Sequence, residues 1–145
     1  MKKQQFRAQS LVEFALILPI ALFLLFGFFD IGRAIFNFAS LTTAVREATR
    51  FAIVNPAALN NTGDIITKVY DYSFGIPPSS IEVTVTINTI KDPTGTVDIR
   101  DNISITAKYD FVPITPGIKQ ILGDGNGIPI TAQSTMRIEP LARDD

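Results

Sequence analysis

The stretch "SLVEFALILPIALFLLFGFFD", residues 10–30, decides how the rest of the chain is organised. Residues 11–29 carry one charged side chain, Glu13, in an otherwise apolar run. As a helix rising about 1.5 Å per residue, this run extends about 28 Å, close to the thickness of a bilayer's hydrocarbon core. The sequence therefore predicts one membrane-spanning helix with a carboxylate inside it.

Glu13 and Pro19 are the two unusual residues of this run. A lone carboxylate in hydrocarbon costs about 2.5 kcal/mol or more, so intramembrane charges are usually paired. Pro19 removes the hydrogen bond to the carbonyl of Ala15 and weakens the helix locally. A plain anchor leaves Glu13 unexplained. A signal peptide would have a shorter apolar region, ending at a small-residue cleavage site that this run lacks.

The charges that flank the run predict its orientation. Lys2, Lys3 and Arg7 precede it, whereas Asp30 and Arg33 follow it. The excess of positive charge before the span favours a cytoplasmic N-terminus. Everything after Arg33 is then expected outside, in a single-pass protein of the cytoplasmic membrane.

The amino-acid composition argues against several classes of function. The chain of 145 residues has room for one domain beyond the span and contains no cysteine and no histidine. Without thiolates or imidazoles, and without a spaced carboxylate pair, the expectation is no enzyme, no cofactor and no metal. Residues 55–145 hold seven Lys/Arg against eleven Asp/Glu, which argues against nucleic-acid binding.

The helix is expected to continue beyond the membrane. Apolar residues recur at spacings of three and four, and Asn55-Pro56 is a natural stop, so one helix is predicted from about Ser10 to Val54. Its second half is amphipathic and should cover a sheet. The predicted stripe consists of Ile31, Ala34, Ile35, Phe38, Leu41, Val45, Ala48 and Ala52.

The remaining chain supplies that sheet. Residues 60–74 predict a short helix capped by Thr62 or Asp64. Strict alternation of apolar and polar residues, typical of antiparallel strands covered on one face, runs through 81–90, 102–111 and 128–138. A turn at 91–95 and a short strand at 96–100 complete the pattern. The fold class is α+β, with one long N-terminal helix packed on a small antiparallel sheet.

Three motifs in order carry a family resemblance. They are V-E-F-A-L-x-L-P at 12–19, D-x-G-R at 30–33 and A-x-R-E-x-x-R-x-A at 44–52. Together they resemble the TadE-like domain of pilin-like proteins, which belong to the tight-adherence branch of type IV pilus systems. The resemblance implies a pilin-like fold and a structural role.

The resemblance also implies processing by a membrane aspartyl prepilin peptidase. With Glu13 as the fifth mature residue and the aromatic Phe14 beside it, the cut falls between Ala8 and Gln9. The expected parts are a basic leader at 1–8, a transmembrane and filament-core segment at 9–30, and an extracytoplasmic head at 31–145. Glu13 would pair with the new α-amine of Gln9 on a neighbouring subunit.

The expected partners are other pilin subunits of the same or a different kind, the inner-membrane assembly machinery, the peptidase and membrane lipid before assembly. The chain would be a minor pilin or an assembly factor. The alternative is a single-pass anchored binding domain that never polymerises. Arg33, Arg46 and Arg50 of the helix have two interpretations, as part of a solvated face or as intersubunit contacts. Asp30 is a further candidate for an intersubunit contact.

Overall fold

A computed structural model describes residues 2–91, 98–118 and 127–138 of the chain. Its first element is a single helix, α1, at Lys2–Val54. The helix ends where the sequence predicts but starts earlier, because residues 2–9 contain no proline or glycine and several good helix formers. Pro19 lies inside α1, which continues past it.

Two short helical turns and one further helix follow α1. A 3₁₀ turn at Pro56–Leu59 leads to α2 at Thr62–Tyr72, and a second 3₁₀ turn lies at Pro78–Ser80. The predicted cap of α2 is wrong. Asn61 caps it instead, with its side chain accepting a hydrogen bond from the backbone N–H of Gly63 at 3.3 Å.

The head contains a three-stranded antiparallel sheet in the order β1-β2-β3. The strands are β1 at Ile81–Lys91, β2 at Asp98–Phe111 and β3 at Ile128–Arg137. The predicted short strand at 96–100 is not separate, because residues 98–100 belong to the long β2. Residues 92–97, which contain most of the predicted turn, lie outside the described residues.

The core lies between α1, α2 and the inner face of the sheet. Alanine dominates the contribution of α1, so the helix can approach the sheet closely. The alternation predicted for the strands is confirmed, with apolar side chains turned inward and residues such as Thr84 turned outward. Fully buried core residues are Leu41, Ala44, Val45, Ala48, Ala52, Ile65, Val69, Ile103, Ile105 and Ala107.

The predicted apolar stripe of α1 is wrong in its first half. Ile31, Ile35 and Phe38 are 58%, 63% and 52% exposed. The buried positions of that stretch are instead Asp30 and Asn37, at 5% and 6% exposure. Hydropathy predicts that the apolar face of the helix is buried, but in this stretch the head packs on the adjacent face. Asp30 can be buried on that face because residues of the head donate hydrogen bonds to its carboxylate. From Leu41 onward the prediction is confirmed.

Candidate functional site

The first candidate is the part of α1 that projects from the head. Between residues 11 and 29 every large apolar side chain is exposed, from 40% for Leu18 to 73% for Phe28. Within the described residues, α1 is the one helix long and apolar enough to cross a membrane, and none of its most apolar stretch is buried. So much contiguous apolar surface does not persist in water and needs lipid or other helices around it.

Gln9 and Glu13 lie one turn apart on this projecting segment and, with Val12 and Leu16, line a shallow groove. Both side chains are exposed, and Glu13 has no hydrogen bond or ion pair with any described residue. Phe14 is 61% exposed. Ala8 and Pro19 lie within α1. The structure thus presents Glu13 as a carboxylate that nothing within the described chain neutralises.

The second candidate is the junction between this segment and the head, and Asp30 is its centre. The Asp30 carboxylate is buried under the loop that follows β2. One oxygen, Oδ1, accepts a hydrogen bond from the backbone N–H of Ile114 at 2.9 Å. The other, Oδ2, accepts two from Thr115, from its backbone N–H at 2.8 Å and its hydroxyl at 2.6 Å. These bonds tie the loop to α1.

Arg33 extends the junction by one helical turn. Its Nη1 donates to Asp30 Oδ1 at 3.2 Å, and its guanidinium carbon lies 5.1 Å from the centre of the buried Phe111 ring. A cation over an aromatic face is attracted by the ring quadrupole. Asp30 and Arg33 therefore fix both the end of β2 and the loop after it.

The environment of Asp30 favours its charged form. Burial alone would raise its pKa, but the hydrogen bonds from Ile114 and Thr115 and the charge of Arg33 outweigh burial and hold the pKa below its ordinary value. Asp30 lies just past the apolar run that ends at Phe29. The carboxylate is thus an ionised acceptor that holds the loop at neutral pH.

The two remaining predicted residues lie further along α1. Arg50 pairs with Glu47 at 3.3 Å, and its side chain is 73% exposed. Arg46 is exposed as well. Exposed pairs of this kind contribute about 0.2–1 kcal/mol. Their surroundings are those of a solvated helix face, and contacts with another subunit stay a prediction.

Sequence reasoning missed the donors of the junction. Thr115 is 2% exposed and lies 85 positions from Asp30, so no local spacing connects the two residues. The one available signal in the sequence is the position of Asp30, directly after the apolar run. A carboxylate at the point where the helix meets the head needs hydrogen-bond donors from the head if it is buried. Within residues 2–91, 98–118 and 127–138, no three His, Cys, Asp or Glu side chains gather into a metal site.

The structure thus combines one long N-terminal helix, apolar in its first half, with a small three-stranded antiparallel sheet, which is the predicted α+β arrangement. A family described as TadE-like protein matches residues 8–50 of the chain. That range includes Glu13, Asp30 and Arg33, so the resemblance seen in the motifs is confirmed over this part of the chain. No curated protein and no solved structure matches the chain.

Proposed function

We propose that the chain is a pilin-like structural subunit of a tight-adherence type IV pilus, acting as a minor pilin or assembly factor. It is inserted as a single-pass protein with a cytoplasmic N-terminus and an external head, and it acts without catalysis. The observation that carries the proposal is the exposed apolar segment with its unpaired Glu13, inside the stretch similar to TadE-like proteins.

The apolar segment has two environments in this proposal. Before assembly, lipid surrounds residues 11–29, and the span of about 28 Å matches the hydrocarbon core. After assembly, the same side chains pack against the helices of neighbouring subunits. Both environments remove from water the apolar surface that the head leaves uncovered.

Glu13 specifies the register of assembly. The prepilin peptidase cuts between Ala8 and Gln9, which gives Gln9 a charged α-amine near the membrane surface. In the filament that amine pairs with Glu13 of a neighbouring subunit. Leaving one charge of a buried pair alone costs about 3–5 kcal/mol, so subunits that place the two charges together are favoured.

Replacement of Glu13 tests the proposal. E13A should leave the chain in the membrane fraction, because it makes the span more apolar, and should strongly reduce its amount in sheared pili. The matched control is E47A, which removes a partly exposed glutamate, paired with Arg50, from the head part of α1 and should assemble normally. Unchanged incorporation of E13A would contradict the pairing, whereas absence of the wild-type chain from sheared pili would favour an anchored domain that does not polymerise.

A further inference from the structure

A groove of about 440 Å³ lies where the projecting segment meets the head. Phe28, Phe29, Arg33 and Asn37 of α1 line one side of it, and Tyr109 of β2 lines the other. The groove is thus bounded by aromatic rings at its membrane end and by two polar side chains further along the helix.

Asn37 is the first observation that points to a ligand. Its side chain is 6% exposed, yet it makes no hydrogen bond with any residue in the described parts of the chain. Among the described residues no buried side-chain nitrogen or oxygen is without a hydrogen-bond partner, so the amide atoms of Asn37 themselves remain accessible although the rest of the residue is covered. Because Asn37 lines the groove, its amide can hydrogen-bond to a group bound there.

Arg33 is the second observation. One of its nitrogens donates to Asp30, and the guanidinium carries five N–H donors in all. Its side chain remains 44% exposed along the groove. Asp30 takes no donor from a groove ligand, because its oxygens already accept from Arg33, Ile114 and Thr115. The free donors of Arg33 suit an anion with several oxygens, such as a phosphate.

The level of the groove identifies the source of the phosphate. Arg33 lies one turn, about 6 Å, beyond the end of the apolar run at Phe29. The polar layer of a bilayer extends about 5–7 Å beyond the hydrocarbon on each side. Phe28 and Phe29 are 73% and 61% exposed at the boundary below it, where aromatic rings favour the interface.

We propose that this groove binds the phosphate of a phospholipid headgroup, with Arg33 and Asn37 donating hydrogen bonds and an acyl chain lying along Phe28 and Phe29. The inference rests on the membrane insertion in the proposed function and not on pilus assembly. The bound headgroup fixes the depth of the unassembled subunit in the bilayer, because it holds the junction at the level of the lipid phosphates.

Native mass spectrometry of the full-length chain in a neutral detergent tests the proposal. The probes are dioleoylphosphatidylglycerol, dioleoylglycerol, which has the same chains without phosphate, and inorganic phosphate. We expect one phosphatidylglycerol to bind and dioleoylglycerol and free phosphate to bind at least about tenfold more weakly, since charge-assisted hydrogen bonds and the acyl chains both contribute.

Two variants and a control locate the site. R33Q removes the cation, and N37D keeps the side-chain shape but puts a carboxylate against the phosphate. Each should weaken phosphatidylglycerol binding about tenfold. R46Q removes an exposed arginine of the same helix outside the groove and should bind as the wild type does. Circular dichroism confirms folding, and N37D carries the test if R33Q does not fold.

The outcomes are distinct. Equal binding of phosphatidylglycerol and dioleoylglycerol, or unchanged binding by N37D, would overturn the headgroup site. Carbonate extraction of cell membranes reports insertion separately. A chain that resists extraction but shows no preference for phosphate contradicts this inference alone, whereas a chain that is extracted contradicts the membrane stage of the proposed function as well.

Discussion

Thr115 donates twice to one oxygen of Asp30, from its backbone N–H and from its hydroxyl, across 85 positions of the chain. Asp30 is the first residue after the apolar run, and Thr115 belongs to the loop after the central strand. This pair therefore connects the membrane segment to the sheet. The orientation of the head relative to the apolar segment therefore depends on hydrogen bonds from Thr115 to the charged carboxylate of Asp30, and not on apolar packing alone.

Replacing Asp30 by asparagine should destabilise the junction. In D30N the amide nitrogen would face donors of Thr115 or Ile114 and leave at least one of them unpaired. We expect the free energy of unfolding of the full chain in detergent to fall by about 2–4 kcal/mol. Chemical denaturation followed by circular dichroism measures it. E47Q, at a partly exposed position of α1, is the control, and an equal loss in both variants would contradict the role of Asp30 at the junction.

The hydroxyl of Thr115 should act through Asp30. T115V keeps the shape of the side chain but removes the donor, and we expect a loss of about 1.5–3 kcal/mol, as for hydrogen bonds to charged groups. In a D30N background the same substitution should cost less. A double-mutant cycle measures the coupling, and strictly additive effects would show that the two residues do not interact.

The junction should weaken in acid. The pKa of Asp30 is lower in the folded chain than in the unfolded chain, because the hydrogen bonds from Ile114 and Thr115 outweigh burial. Its stabilising contribution is therefore fully present above the unfolded pKa and is lost as the pH falls through the folded pKa, below about pH 4. The stability difference between wild type and D30N should shrink over that range. A difference that stays constant to pH 2 would contradict the assignment.

Close packing of α1 on the sheet should not tolerate a larger side chain. Ala48 is fully buried in the core. A48L should lower the free energy of unfolding by about 1–3 kcal/mol through overpacking. The matched control is A39L, on the exposed face of the same helix. If thermal unfolding in detergent shows the same midpoint for A48L and A39L, the helix does not pack on the sheet at Ala48.

Local patterns predict most of the fold. Alternation in the strands follows from which face is buried, and Asn55-Pro56 ends α1 because proline restricts the residue before it. The junction is different. There hydropathy favours Ile31 and Ile35 as the buried face, while the structure buries Asp30 and Asn37. The hydrogen-bond partners of Asp30 belong to a loop that is distant in the sequence, so the periodicity of α1 cannot predict them.

In the proposed function, this chain is a processed subunit of a pilus. Mass spectrometry of purified pili, with intact mass and N-terminal residue determined for this chain, tests it most directly. We expect the chain to be present and to begin at Gln9, without Met1 to Ala8. Pili that lack the chain, or that contain it with Met1 to Ala8 still attached, would contradict the account.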